Sequence, residues 1–318
     1  MRYLPALCLC VIASLSIAQT RESGPWWPHP VWGPTDQTGA SNWITPDKIV
    51  AAASLIKTGQ VYELGHPYTN GMPTVGSRNY KLVIAGFPTM GPFESRDRSV
   101  YFNDEYVAGE IGQVGTQFDG LGHPGVGVTM DDGSEHVVFY NGHTDDEIHN
   151  PYGLSKLGVE NVKPFFTRGI LIDIAALLDE DIVSGDHIVS LAEVRNALAN
   201  QGIDEASIAP GDALLFNFGW WQRWPEPSIL SDAQPYLGDD VVAWIIERQP
   251  SMVGSDITLD GPEFAVHTEL IVKHGINNLE WMTFKGLAED QVYEFAFILT
   301  PLRLKGATGS PVRPIAVR

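Results

Sequence analysis

Four polar side chains lie close together in a glycine-rich segment, and each carries an atom that can bind a divalent cation. They are Gln113, Gln117, Asp119 and His123, which follow one another at intervals of four, two and four residues. The glycines around them let the backbone fold tightly enough for several side chains to converge. Carboxylate and amide oxygens with an imidazole nitrogen suit a cation of intermediate hardness. An ordinary polar turn is the alternative that composition alone leaves open.

Other catalytic signatures are missing or stand in the wrong context. The two cysteines, Cys8 and Cys10, both lie in the first ten residues, so the rest of the chain offers no thiolate nucleophile and no Cys-ligated zinc. Residues 120–125 match a dinucleotide fingerprint, but Pro124 and the Val-Gly-Val-Thr run after it do not open the helix that a phosphate needs. No nucleophile-elbow serine and no Walker loop is found. The sequence therefore favours catalysis by a metal or by general acids and bases.

Composition and charge limit the partners. The 318 residues are 44% hydrophobic and 19% charged, which is typical of a globular protein. Thirty-nine acidic residues against 20 Lys and Arg give a formal net charge of −19, which repels phosphate backbones and anionic lipid. We therefore expect a small-molecule substrate as partner, no nucleic acid and no membrane.

The first residues predict export. Arg2 precedes a mainly apolar run that ends in Ser16-Ile17-Ala18, and polar residues follow from Gln19. This is the pattern of a signal peptide over residues 1–18, cleaved after Ala18, and the run is shorter than a membrane span of about 20 residues. We expect a secreted or periplasmic protein, with an uncleaved anchor as the alternative.

Residues 19–45 are predicted to form an irregular arm. Four tryptophans and four prolines occupy this stretch, and proline at that density forbids a helix. Exposed tryptophans would form an apolar patch, so we expect the arm to pack on the body or on a second subunit, with a carbohydrate-stacking platform as the alternative. The catalytic domain is then predicted over residues 46–318.

The rest of the chain alternates between helix and strand signals. Regular structure is interrupted between Gly112 and Tyr140 by many glycines, prolines and aspartates, which is typical of a loop that carries a site. Alternation beyond residue 165 predicts an α/β fold with a mixed sheet. The predicted helices cover residues 47–57, 190–202, 239–249 and 267–274, and the predicted strands cover residues 169–175, 212–218, 251–256 and 293–300.

The polar segment resembles the signature of the metal-dependent cyclase family, which includes kynurenine formamidases and isatin hydrolases. That motif reads His-x-Gly-Thr-His-x-Asp-x-Pro-x-His, and the chain keeps its spacing at Gly115-Thr116, Asp119 and His123. Glutamines stand at the positions of its two metal-binding histidines, and Leu121 replaces its proline. The similarity covers most of residues 30–300, including 32–33, 36–42, 211–215, 254–256, His267, 275–276 and Glu280.

The resemblance implies a swivelling β/β/α fold, a homo-oligomer and a metal site. Carried onto this chain, the metal ligands are Asp119 and His267, with Gln117 and Gln113 as oxygen ligands. The resemblance implies a divalent metal, Mn²⁺ or Zn²⁺. Two His-to-Gln changes weaken zinc binding, so loss of the metal is the alternative.

The function implied is hydrolysis of a small amide or lactone. His123 would take a proton from water and return it to the leaving group, and Glu280 would orient or share that proton. A non-catalytic binding protein and a dehydratase or lyase that uses the same site are the alternatives.

Aromatic residues near the candidate site are predicted to line a substrate pocket. They are Phe118, Trp220 and Trp221, with packing in the core as the alternative.

Overall fold

A computed structural model of the chain describes residues 24–318, so the predicted signal peptide and the first residues of the N-terminal arm lie outside the described residues. Seventeen strands are present in the described part. They are β1 Val61–Glu63, β2 Tyr80–Val83, β3 Met90–Ser95, β4 Arg98–Phe102, β5 Tyr106–Gly109, β6 Gln117–Asp119, β7 Val126–Thr129, β8 Glu135–Val138, β9 Phe165–Asp173, β10 Ile188–Val189, β11 Ala213–Asn217, β12 Tyr236–Leu237, β13 Met252–Ser255, β14 Asn277–Glu280, β15 Glu294–Leu299, β16 Gly309–Pro311 and β17 Ile315–Val317.

One nine-stranded mixed sheet organises the molecule, in the order β1-β17-β15-β9-β11-β13-β14-β6-β16. Its centre, β9-β11-β13-β14, is parallel, and antiparallel strands extend it on both sides. These four parallel strands are almost wholly buried, as expected when both faces of a sheet are covered. The predicted α/β class with a mixed sheet is confirmed.

Side chains alternate between two apolar layers on the faces of this sheet. On β9, Ile170 and Ile172 pack with the helices, whereas Leu171 points into the opposite layer. The same alternation separates Phe216 from Leu215 on β11. Because successive strand residues face opposite sides, the nearly continuous apolar runs in the sequence fill both layers at once.

Short helices connect the strands, and their ends follow ordinary capping rules. Thr45 accepts a hydrogen bond from the Lys48 N–H at the start of the first helix, and Ser190 with Glu193 forms the predicted capping box. The helices are α1 Pro46–Ala53, α2 Asp145–Ile148, α3 Ile174–Leu178, α4 Leu191–Asn200, α5 Asp239–Arg248, the π-helix Val266–Lys273 and α6 Lys285–Glu289. In the described residues, no helix has both the length and the apolar character that a membrane crossing requires.

The described part of the N-terminal arm is irregular and packs on the body. Its one helical element is a 3₁₀ turn, Gly39–Trp43. Trp27 is buried, and Trp32 and Trp43 pack against the helix-side core. Residues 24–45 thus have the irregular structure that their prolines predict.

The predicted elements match the structure best where both propensity and capping signals were present. Strand and helix predictions beyond residue 165 agree with β9, β11, β13, β15, α4 and α5 to within a few residues at most ends. Residues 112–140 also hold three short strands, β6 to β8. β6 forms because β14 and β16, distant in sequence, supply its hydrogen bonds, whereas β7 and β8 pair with each other as a local hairpin.

Residues 80–109 form a long hairpin that the sequence analysis did not predict. Its two ribbons are the β2–β5 and β3–β4 pairs. Large apolar side chains remain exposed along it, including Phe87 at 74%, Tyr106 at 69% and Met90 at 53%. A two-stranded ribbon has no core in which to bury these side chains, and within the described residues no other element covers them.

Asp256 is a buried acid whose protonation is linked to folding. Burial raises its pKa to about 7, although the N–H groups of Phe218 and Trp221 donate to its carboxylate. The folded state therefore holds this proton between the unfolded pKa of about 3.9 and about 7, so its contribution to stability is complete below about pH 4 and is lost as the pH rises through 7.

We predict that Asp256→Asn removes this pH dependence, since the amide carries no charge at any pH. Urea unfolding at about pH 5 and about pH 8 measures it, and wild type should lose roughly 1–4 kcal/mol relative to the variant across that interval. The exposed Asp131→Asn variant is the control and should follow wild type. Parallel curves for wild type and Asp256→Asn would contradict the prediction.

Candidate metal centre

The register of β6 against β14 places two carboxylates and two amides on one face of the sheet. Asn278 lies opposite Asp119, and Glu280 lies opposite Gln117. Residues two apart on a strand share a face, so all four side chains point to the same side. The intervening Phe118 and Leu279 point into the opposite apolar layer.

Each amide bridges both carboxylates. Gln117 Nε2 donates to Asp119 Oδ1 at 3.3 Å and to Glu280 Oε2 at 3.1 Å. Asn278 Nδ2 donates to Asp119 Oδ2 at 3.2 Å and to Glu280 Oε1 at 3.3 Å. All four side chains are buried, so these hydrogen bonds replace those that water would make. The result is a rigid pair of acids, which we call the carboxylate pair.

The carboxylate pair needs positive charge. Burial raises the pKa of Glu280 well above its ordinary value, and the neighbouring charge of Asp119 raises it further. The electrostatic influence of His267 and Arg78 acts in the opposite direction. Two acids with few water contacts favour either a proton or a cation beside them.

His267 supplies that charge from the π-helix. Its Nε2 lies 3.7 Å from Asp119 Oδ2 and 3.8 Å from Glu280 Oε1, while its Nδ1 is hydrogen-bonded to Asp260. Burial alone would lower the pKa of His267, but the hydrogen bond to Asp260 and the charges of Glu280 and Asp119 raise it to about 9. An imidazole held at one nitrogen by a carboxylate, with the other nitrogen free, is typical of a metal ligand.

His123 approaches the carboxylate pair from the loop after β6. Its Nε2 lies 3.9 Å from Asp119 Oδ1, and its ring meets that of His267 edge to face at 5.6 Å. Burial lowers the pKa of His123, and the charges of His267 and Arg78 lower it further against the opposing effect of Asp119. A neutral imidazole at this position can accept a proton.

A cavity of about 560 Å³ opens on these groups, a size that suits a small organic molecule. Its lining includes His123, His267 and Glu280, together with Arg78 and Phe264. The lining is completed by Val75, Gln117, Pro124, Gly125, Thr258, Asp260, Gly261 and Thr268.

The donor set fits a divalent cation. Asp119, His123 and His267 each present one ligand atom, and these atoms lie within 4.8 Å of one another. Glu280 adds a second carboxylate oxygen on the His267 side. The acids that raise the pKa of His267 favour a proton on its ring, and this positive charge lies where a metal would supply one. Carboxylate and imidazole ligands are typical of both Mn²⁺ and Zn²⁺ sites.

The two glutamines do not present oxygen ligands as the sequence analysis expected. Gln117 turns its amide nitrogen, rather than its oxygen, toward both carboxylates. Gln113 lies against Gly309, and both polar atoms of its side chain are buried without a hydrogen-bond partner in the described residues. No described contact joins Gln113 to the carboxylate pair.

The three aromatic residues predicted to bind substrate do not line this cavity, and that expectation is corrected. Phe118 is fully buried on the other face of β6, where strand alternation must place it next to Asp119. Trp220 is buried in the helix-side core and donates to the Val183 carbonyl. Trp221 packs against the opposite core layer. The aromatic residue on the cavity wall is Phe264 instead.

Three residues of the centre escaped the sequence analysis. Asn278 enters because β14 pairs with β6, and Asp260 enters because a turn brings it under His267. Arg78 enters from the base of the long hairpin. For Asp260 a local signal existed, since it opens an Asp-Gly-Pro turn seven residues before His267.

Comparison with known proteins agrees with this geometry. The model of the family described as Putative cyclase matches residues 62–259. A crystal structure described as a novel cyclase is 32% identical, with a TM-score of 0.77, and the match covers 90% of this chain and 96% of that one. No curated protein matches the sequence.

Two isatin hydrolases share the fold at lower identity. Isatin hydrolase A from Ralstonia solanacearum is 20% identical with a TM-score of 0.58, covering 86% of this chain and 98% of that one. Isatin hydrolase A from Labrenzia aggregata is 17% identical with a TM-score of 0.56, covering 85% and 97%. The predicted cyclase-like fold is confirmed by these matches.

We predict that Asp260→Asn weakens metal binding roughly 10–100-fold, because a neutral amide no longer holds and polarises the His267 imidazole. Competition between the protein and a chelator for Mn²⁺ or Zn²⁺ measures the affinity. Asp97→Asn, on the exposed hairpin, is the matched control and should bind as wild type does. Equal affinities for all three proteins would show that Asp260 has no part in the centre.

Proposed function

The chain belongs to the cyclase family, and we propose that it is a metal-dependent hydrolase of a small amide or lactone. The observation that carries the proposal is the convergence of Asp119 with His123 and His267, two histidines that line a cavity of suitable size. The shared fold with two isatin hydrolases supports a hydrolase over other activities. Mn²⁺ and Zn²⁺ both remain candidates for the metal.

Asp119 and His267 would hold the cation, with Glu280 as the third protein ligand instead of the proton-sharing residue that the family resemblance implies. Asp119 Oδ2 and Glu280 Oε1 both lie near His267 Nε2, and both accept a hydrogen bond from Asn278 Nδ2. The two oxygens are therefore directed toward the same position. When bound there, a divalent cation polarises a carbonyl group and lowers the pKa of a bound water.

His123 is then left to move protons, since it faces the other oxygen of Asp119. The water oxygen forms a bond to the carbonyl carbon while His123 accepts the water proton. The carbon–nitrogen or carbon–oxygen bond of the substrate then breaks, and His123 returns the proton to the departing nitrogen or oxygen. The products are a carboxylic acid and an amine or alcohol, joined in one molecule where the substrate was cyclic.

A non-catalytic binding protein is the rival that one observation favours. Glutamine replaces histidine at two motif positions, and Gln117 donates to the carboxylates that a metal would use. Such a protein would bind small molecules in the cavity without turnover. A lyase acting at the same site would convert its substrate without incorporating oxygen from water.

We predict hydrolysis of aryl amides or lactones by metal-loaded protein and none by chelated protein. A panel of aryl amides, lactones, peptides and glycosides, run in ¹⁸O-labelled water, measures both turnover and the source of the product oxygen. Label in the product indicates hydrolysis, and unlabelled product indicates the lyase. Activity that survives chelation, or no activity on any amide or lactone, contradicts the proposal.

Two variants in the same assay separate the proposed roles. Asp119→Ala should lose bound metal and activity together, whereas His123→Gln should keep its metal and lose roughly 10²-fold or more in turnover. Loss of metal from both variants would make His123 a ligand. Tyr152→Phe, altered at a side chain that is 97% exposed, is the control.

We also propose that the protein is a homo-oligomer, which the exposed apolar side chains of the long hairpin support. Apolar patches of this kind are typical of protein interfaces. Burial of Phe87 and Tyr106 against a second copy would remove from water the largest aromatic surfaces of the hairpin.

Light scattering tests this proposal. We predict a mass of at least twice the monomer for wild type and a shift toward monomer for the double variant Phe87→Ser, Tyr106→Ser, because two apolar anchors are lost. Tyr152→Ser is the matched control and should keep the wild-type mass. A monomeric wild type would exclude the homo-oligomer.

A further inference from the structure

Arg78 is fixed in place at the wall of the cavity. Its backbone N–H donates to the Val75 carbonyl at 3.2 Å, and Thr74 Oγ1 donates to its carbonyl at 2.7 Å. One guanidinium nitrogen, Nη1, donates to the Gln113 carbonyl at 3.1 Å. The guanidinium is therefore anchored at one end, on the loop that leads into β6.

Among the described residues, no partner is found for the remainder of this guanidinium. Arg168, Arg223 and Arg313 each pair with an acidic side chain. Within residues 24–318, by contrast, no ion pair joins Arg78 to an acid, and the Gln113 carbonyl is the one acceptor that its guanidinium meets. A guanidinium carries five N–H donors, so most of those on Arg78 remain free for a ligand.

The lining around Arg78 also carries acidic side chains, and the positive charge of His267 on that lining is paired with acids. Glu280 and Asp260 lie on the lining, and the protein as a whole carries a charge of −19. Within residues 24–318, no ion pair with an acid neutralises Arg78, so this cation on the lining can attract an anionic ligand. A neutral carbonyl accepts a weaker hydrogen bond from a guanidinium, whereas a carboxylate matches its planar fork with two parallel hydrogen bonds.

Phe264 supplies an apolar surface on the same lining. Its side chain is 62% exposed, and its backbone has a φ of 52°, in the left-handed region that bulky residues rarely adopt. Its carbonyl accepts hydrogen bonds from the N–H and hydroxyl of Thr268, which hold that conformation in place. A ring left exposed at a cavity by a fixed, strained backbone is suited to the flat face of a ligand.

We propose that Arg78 binds a carboxylate of the substrate away from the scissile bond, so that the cavity selects amides or lactones that carry a negative charge. The inference rests on the proposed function and names the substrate class of the same site. Phe264 would contact the body of that substrate between its two polar ends. Arg78 is thus a specificity-determining residue, whereas the chemical step belongs to the groups beside Asp119.

Paired substrates test this inference on metal-loaded protein. One is an anilide that bears a ring carboxylate, and the other is the same anilide with a carboxamide in its place. We expect wild type to favour the carboxylate, and Arg78→Gln to reduce the ratio of the two kcat/KM values roughly 10–100-fold, as loss of a charged hydrogen bond does. The glutamine keeps a donor for the Gln113 carbonyl, so a purely structural role for Arg78 would leave the ratio unchanged.

Arg78→Lys and Arg98→Gln complete the series. Lysine keeps the charge without the fork, so part of the preference should return. Arg98 lies on the exposed hairpin with a side chain that is 76% exposed, and its variant should match wild type. An unchanged ratio in Arg78→Gln, or equal use of both anilides by wild type, overturns the inference.

Binding of benzoate and benzamide, measured by calorimetry on the same proteins, gives a readout that does not depend on turnover. Wild type should bind benzoate more tightly than benzamide, and Arg78→Gln should lose that preference. If neither anilide is hydrolysed but the preference for benzoate depends on Arg78, the proposed function fails and the anion site stands. If benzoate binds Arg78→Gln as tightly as wild type, the anion site fails whatever the activity.

Discussion

The pairing register of β6 with β14 is the constraint on which the rest of the centre depends. Antiparallel pairing sets Asp119 opposite Asn278 and Gln117 opposite Glu280, and a slip by one residue would turn all four into the apolar layer that Phe118 and Leu279 now occupy. The nine-stranded sheet holds this register from both sides, with β13 beside β14 and β16 beside β6. The core therefore specifies the site through strand pairing rather than through any contact with the cavity.

Burying two carboxylates side by side costs hydration energy and brings like charges together, and three kinds of group offset this cost. Amide groups satisfy the oxygens, His267 brings positive charge, and Asp260 fixes the ring that carries it. These groups come from segments that are far apart in the sequence, so the centre exists only in the folded protein. A metal at this position would replace the proton on His267 as the source of charge, which couples metal binding to pH and to folding.

The sequence predicts those site residues that can be recognised from their type and their spacing along the chain. The sequence alone predicts four site residues that the structure brings together: Asp119, His123, His267 and Glu280. Asn278 and Arg78 could not be found in this way, because their roles depend on strand register and on a hairpin that has no strong local signal. The prediction that Phe118 lines the substrate pocket is wrong because neighbouring residues of a strand face opposite sides, so Phe118 points away from Asp119.

The π-helix Val266–Lys273 limits how this protein can change during evolution. A π-helix closes its hydrogen bonds over five residues rather than four, so it accommodates an additional residue compared with an α-helix of the same span. Deleting one residue would restore α-helical spacing and turn His267 by roughly 100° relative to the segment that follows. The imidazole would then leave both Asp260 and the carboxylate pair, although no residue in contact with a ligand had been substituted. Insertions and deletions in this helix are therefore a more direct route to an inactive relative than most point substitutions.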